Sequence, residues 1–378
     1  MFQSRRFQSY LLPGLVFQSV VIAGGYGTGR ELAEFFLSYG PGGGLLAMLL
    51  ISMPLWSLVC AASFEFARCH QAFDYRHFFQ KLLGRGWFLF EICYLILLML
   101  VLAVIAAAAG SILHDNFGQG YALGVVAMMA AVGGLVFLGS QAIERFISLW
   151  SVVLYAIYIV LFVACFWSFG PQISQAFETG PVKPGWAVGG VRYAAYNLGV
   201  IPAVLFTIRH CKARKEAVVA GLLAGPIAMI PGLLFYLAMA GQYPDVLERA
   251  VPANSLLEAL GSPAFQWAFQ IVLFGTLIET GAGMIHAVNE RLSGFFRDRQ
   301  KAMPQVLRLS LGSGLLLAGA LIAQMGLIGL IAKGYGSITW GFLVIYVIPI
   351  LTLGLFKIRR SRRDSGLKTD RPRSDAEA

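Results

Sequence analysis

The chain has 378 residues, of which 58% are hydrophobic and 13% charged, and its mean hydropathy is +0.71. A soluble domain carries roughly 25% charge, so this composition excludes an ordinary water-soluble fold and makes lipid the main solvent. The net charge of +10 falls in short loops and a tail with no recognition fold beside it, which argues against a nucleic-acid partner.

In chain order, hydropathy predicts ten membrane spans of about 20 residues or more. Helix 1 covers 12–38, helix 2 covers 42–66, helix 3 covers 87–113, helix 4 covers 121–139 and helix 5 covers 146–168. Helix 6 covers 188–208, helix 7 covers 216–240, helix 8 covers 264–289, helix 9 covers 305–325 and helix 10 covers 335–356. No soluble domain is left over: 1–378 reads as a single transmembrane domain, with 357–378 as a basic tail. The start resembles a signal peptide, but its apolar stretch is too long and lacks a convincing cleavage site, so it reads as a retained first helix. Phe73 to Leu83 mixes aromatic and charged residues, as a short interfacial helix does. Val251 to Leu260 reads as an amphipathic helix with Asn254 as its N-cap. The five cysteines show no CxxC pattern and no histidines at metal spacing, so neither a disulfide nor a metal site is expected.

Lysine and arginine divide unevenly between the loops. Of the 29, the odd-numbered connections hold Lys183, Arg192, Arg249 and Lys333, and Arg30 lies inside helix 1. All the others fall in the even-numbered connections and the two tails, among them Arg5, Arg68, Lys212 and Arg214. The positive-inside rule then places both termini in the cytoplasm.

Helix 1 carries the most informative stretch, Gly24-Gly25-Tyr26-Gly27-Thr28-Gly29-Arg30-Glu31. Each glycine costs about 1 kcal/mol relative to alanine in a helix, and a charge near mid-bilayer costs at least ~2.5 kcal/mol. A membrane protein keeps such a stretch where it lines a cavity or is buried in protein. Helix 6 holds a second candidate interruption, Tyr196-Asn197-Leu198-Gly199 followed by Pro202, where proline removes a backbone bond. Two five-helix halves, about 12–168 and 188–356, each open on such a helix. Five is odd, so the halves are inverted relative to each other, and paired interruptions point to a transporter site. The expected fold class is an all-α polytopic membrane protein, built as a five-plus-five inverted repeat with helices 1 and 6 interrupted.

These features resemble the amino acid–polyamine–organocation transporter superfamily, with its LeuT-type fold. Within it, Val16 to Phe36 (VFQSVVIAGGYGTGRELAEFF) is similar to the opening of the YkvI-like family of bacterial membrane proteins. The resemblance implies a multi-pass protein of the bacterial inner membrane. It places substrate between helices 1, 3, 6, 8 and 10, and a coupling cation, Na+ or H+, near helices 1 and 8.

The residues themselves suggest how such a site works. Carbonyls at Ala23, Gly24 and Gly25 suit a cation, and amides at Gly27, Thr28 and Gly29 suit a carboxylate. A zwitterion satisfies both, with Tyr26 stacking on it. Arg30 is either a fork for a substrate carboxylate or the partner of Glu31, Glu34 or Glu279. Glu279, midway along helix 8, either binds a cation with Thr276 and Thr280, carries a proton, or balances Arg30. His286 lies two turns further along and is a packing histidine or a relay. Asn197, with Gly199, offers a hydrogen bond from helix 6. A plain glycine-rich nucleotide loop fails for want of a preceding strand, and no Walker lysine, HExxH or GxSxG is present. No cofactor is expected. The function these residues suggest is secondary transport of a small polar organic solute; the alternative is a ligand sensor on the same fold that has lost transport. Besides that solute the expected partner is the bilayer, and the sequence leaves the oligomeric state open.

Overall fold

A computed structural model describes residues 5–22, 24–138, 140–298 and 304–361. Among the described residues every regular element is helical. Among the described residues seven helices are long and apolar enough to cross a membrane. We label the main elements α1 (Leu12–Val21), α2 (Arg30–Phe35), α3 (Pro41–His70), α4 (Trp87–Phe117), α5 (Tyr121–Leu138) and α6 (Ser140–Thr179). There follow α7 (Trp186–Asn197), α8 (Arg214–Ala240), α9 (Pro252–Leu260), α10 (Pro263–Asp298), α11 (Gln305–Ile322) and α12 (Leu327–Ser361).

Several helices outrun the hydropathy expectation. α6 has 40 residues and α10 has 36, because helical backbone continues past the apolar window into polar turns. The interfacial element is a helix over Tyr75–Leu83, started by Asp74, whose carboxylate accepts the His77 amide at 2.9 Å. Asn254 is not the cap expected from the sequence. α9 begins at Pro252, whose fixed φ suits the first helical position, and Asn254 lies inside the first turn with its side-chain oxygen taken by Gln270 Nε2 at 2.6 Å.

The core is built around α4. Its run Ala106–Gly110 is fully enclosed, and α5, α10, α11 and part of α12 pack around it. α8 lies along α3, and α1 packs against both, Phe17 meeting Trp56 of α3 edge-on. Hydrocarbon gives no hydrophobic drive between helices, so contact rests on close approach of small residues. Gly221 of α8 sits directly against the Ala61 backbone of α3, where no side chain would fit. Gly319 of α11 likewise faces Leu102 and Ala103 of α4. The outward faces carry Val126, Phe137, Ile159, Trp167 and Val344 in exposed positions, as a lipid-facing surface requires.

Basic residues from distant loops meet at one end. Arg5 pairs with Glu216, Arg68 donates to the Lys212 carbonyl, and Lys357 donates to the Lys81 and Leu82 carbonyls. At the other end, the Lys183 amide reaches the Tyr39 carbonyl, and Phe117 meets Trp267.

Candidate functional site

The glycine stretch lies between α1 and α2. α1 stops at Val21, and Ile22 leaves helical geometry with ψ 72°. Ala23 lies outside the described residues. Gly24–Gly27 makes one helical turn, Gly29 takes φ 80°, and α2 starts at Arg30. That left-handed backbone favours glycine, and a β-carbon at Gly29 would come 2.9 Å from Met239 Sδ and 3.2 Å from Pro252. The local polar groups find protein partners. The Gly29 amide donates to the Tyr26 carbonyl at 2.9 Å, and the Arg30 amide to Thr28 Oγ1 at 3.3 Å. The Gly27 carbonyl accepts the Tyr158 hydroxyl at 2.6 Å, and the Thr28 carbonyl accepts the Ala253 amide at 3.0 Å.

Tyr26 is buried, and its hydroxyl has no hydrogen-bond partner among the described residues. It lines a cleft of about 110 Å³ with Ile22, Leu154, Tyr158, Phe162 and Pro231. Beside the cleft, the Tyr155 hydroxyl donates to Gln18 Oε1 at 3.3 Å, and Gln18 Nε2 donates to the Ile227 carbonyl at 2.6 Å. Glu279 is within electrostatic reach of Tyr155. The hydroxyls of Thr276 and Thr280 donate back to the Val272 and Thr276 carbonyls, both at 2.9 Å.

Arg30 and Glu31 are neighbours in sequence but part company, since adjacent helix residues do not face each other. Arg30 is 4% exposed. Its Nη2 lies 2.8 Å from Glu34 Oε2, one turn on, and its Nη1 donates to the Leu247 carbonyl at 2.7 Å and the Arg249 carbonyl at 3.2 Å. Of the three carboxylates the sequence offers, Glu34 is the one in contact.

Glu31, 3% exposed, faces α7. The Tyr196 hydroxyl donates to its Oε2. Tyr196 stacks on Tyr335 with centroids 4.7 Å apart, and Tyr193 and Phe35 close the box at 5.8 and 5.6 Å from the Tyr196 ring. No lysine, arginine or histidine among the described residues forms an ion pair with Glu31. Arg192, the nearby cation on α7, lies over the Phe35 ring at 5.7 Å and donates to the Ala332 carbonyl at 3.2 Å.

Asn197 is buried at the end of α7 and donates to the Tyr193 carbonyl at 3.0 Å. Beyond it the backbone tightens into 3-10 turns, Leu198–Ala203 and Leu205–His210, with Pro202 inside the first. Gly199 lies against the Phe342 ring.

The structure therefore joins Thr28, Arg30 and Glu31 to α7 and to the segment before α9. Thr276, Thr280 and Glu279 lie on α10, which packs against the Gly24–Gly27 turn. Sequence reasoning missed the tyrosine box and the Tyr158 cap on Gly27. Tyr193 and Tyr196 share a helix face at i, i+3, which was a usable signal. Tyr335, 139 positions from Tyr196 in the chain, gave none.

No protein-family model matches the chain. It is 22% identical over 292 residues to the membrane protein YkvI of Bacillus subtilis (strain 168), itself uncharacterised, covering 76% of this chain and 82% of that relative. A mutant form of the Eremococcus coleocola manganese transporter superposes with TM-score 0.51 at 15% identity, over 97% of this chain and 89% of that one. A Na+-coupled sialic acid symporter, substrate-bound and outward-open, superposes with TM-score 0.47 at 12% identity, over 90% of this chain and 87% of that one. The chain is a multi-pass membrane protein similar to YkvI, and it shares the helical fold of the manganese transporter.

Proposed function

We propose that the chain is a secondary active transporter of a small polar organic solute, an amino acid or a related zwitterion or amine, coupled to Na+ or H+. The observation that carries this reading is the divided path between α1 and α2. It buries Thr28, Arg30 and Glu31 in an apolar bundle, and through Glu31 it touches the second divided segment at Tyr196. Charge held at such a place is what a transport pathway requires.

In this reading Gly24–Arg30 and Asn197–Gly199 flank the solute, and Glu279 with Thr276 and Thr280 flanks the coupling ion together with the Ala23 carbonyl. The ten spans form two inverted halves, and the basic end faces the cytoplasm. The two halves' first helices tilt between the two access states. An organic solute fits the groups present better than a hard metal ion does. Among the described residues no three His, Cys, Asp or Glu side chains gather at one point, and the groups along the divided segments are hydroxyls, a guanidinium, carboxylates and rings.

The test is thermal stability of the purified protein against amino acids, amines and small carboxylates, each in Na+, in K+ and across pH. A ligand at a hundred times its Kd stabilises by about 2.7 kcal/mol. A hit, followed by counterflow of the same solute in proteoliposomes, is the expected result. Binding without counterflow would make the chain a sensor on the same fold.

A further inference from the structure

Glu31 is assigned to neither solute nor ion in the reading above, yet its surroundings are built. Its carboxyl is enclosed by elements from three parts of the chain. α2 supplies Glu31 itself and Phe35, α7 supplies Tyr193 and Tyr196, and α12 supplies Tyr335. Among the titratable groups that feel its charge are Tyr26, Tyr193, Tyr196 and Tyr335. The cations on the same elements are committed elsewhere: Arg30 to Glu34 and two carbonyls, Arg192 to Phe35 and the Ala332 carbonyl.

A buried carboxylate with no cation beside it is costly, by several kcal/mol per ion. Glu31 is given a phenol hydroxyl instead of a counter-ion. The Tyr196 ring that bears this hydroxyl is itself held by stacking on Tyr335 at 4.7 Å, and a proton is the cation that a carboxyl can take up without further ligands. The position matters equally. Glu31 lies one residue past the start of α2 and hydrogen-bonds across to α7, so any tilt of α2 against α7 opens or closes the box.

We propose that the coupling ion is H+ and that the Glu31 carboxyl, held by Tyr196, carries it. In the open box a hydronium on one side of the membrane gives up a proton: one of its O–H bonds breaks as an O–H bond forms on Glu31. Closure takes the neutral acid out of water with Tyr196 still donating to Oε2. On the other side that O–H bond breaks to water, and no electrons change hands. The inference rests on the transporter reading, names H+ as its coupling ion, and moves the ion's carrier from the Glu279 group to Glu31.

The test uses the full chain in proteoliposomes loaded with a pH dye, supplied with a mixture of amino acids and amines, without Na+. Radiolabelled counterflow of the mixture is read in parallel. The expected result is acidification that follows solute entry. Glu31→Gln is expected to lose acidification and concentrative uptake but keep counterflow. Tyr196→Phe is expected to keep both with a displaced pH profile, and it covers the case in which Glu31→Gln does not fold. Counterflow without acidification in the wild type overturns the proton assignment and leaves transport standing. So does acidification undiminished in Glu31→Gln. Absence of any counterflow overturns the transporter reading, and this inference falls with it.

Discussion

Two glutamates are equally hidden in this bundle and kept in opposite company. Glu65, near the basic end of α3, and Glu31, at the start of α2, are each 3% exposed. Glu65 is gripped by both arms of the Arg68 fork at 2.7 and 2.8 Å, with Arg214 at 3.9 Å. Among the described residues Glu31 receives one tyrosine hydroxyl, whose ring is packed by Phe35, Tyr193 and Tyr335. A fully matched pair costs little to keep and has no reason to change state. A carboxyl whose only polar partner is a phenol can gain or lose a proton without stranding a guanidinium. Burial alone therefore does not distinguish a structural acid from a working one; the partner does.

The strongest test of that contrast is Glu65→Gln. It leaves the Arg68 guanidinium, 22% exposed, without its carboxylate. Removing one member of a buried pair costs about 3–5 kcal/mol, and partial exposure puts this case near the lower end. Thermal unfolding in detergent should show a large fall in midpoint. Next in size is Gly29→Ala. Left-handed backbone costs an L-residue about 1–2 kcal/mol, and the new methyl must displace Met239. Because Gly29 sets the angle at which α2 leaves, this substitution should loosen Arg30 and Glu31 together. The measurable sign is faster proteolysis in the Leu247–Arg249 segment that Arg30 holds.

How much of this was legible follows the same divide. The long helices could be read because hydropathy is a property of one segment at a time. The break at Gly24–Gly29 could be read because glycine and charge are local signals. The partner of Arg30 was open among Glu31, Glu34 and Glu279, yet helix geometry favours i, i+4 over i, i+1. Glu34 was therefore derivable once α2 was known to be helical. The carbonyls of Leu247 and Arg249 were not, since a backbone acceptor more than 200 residues away leaves no trace in composition. Asn254 failed as a cap because Pro252 already sets the helix start. Tyr335 joined the box through tertiary packing alone.

Tyr196→Phe is a smaller perturbation and separates the two acids more finely. It deletes one hydrogen bond, worth about 0.5–1.5 kcal/mol, and leaves the ring stack on Tyr335 intact. A stability loss within that range means that the hydroxyl answers a carboxyl already tolerated in the box. A loss as large as that of Glu65→Gln would mean that the phenol replaces a counter-ion in holding a fixed charge, and Glu31 would then join Glu65 as structure.

The smallest expected effect is the most telling. Glu31→Gln keeps the shape and an oxygen for Tyr196, and it removes no partner of any cation. Its cost should be about 1 kcal/mol or less, the net worth of one buried hydrogen bond. The same change at Glu65, at the same burial, should cost several times more. Measured side by side in one detergent, the ratio of the two losses depends on the company each acid keeps and cancels what burial contributes to both. Equal losses would show that Glu31 is bound to a charge after all, and would remove the physical basis for letting it move a proton.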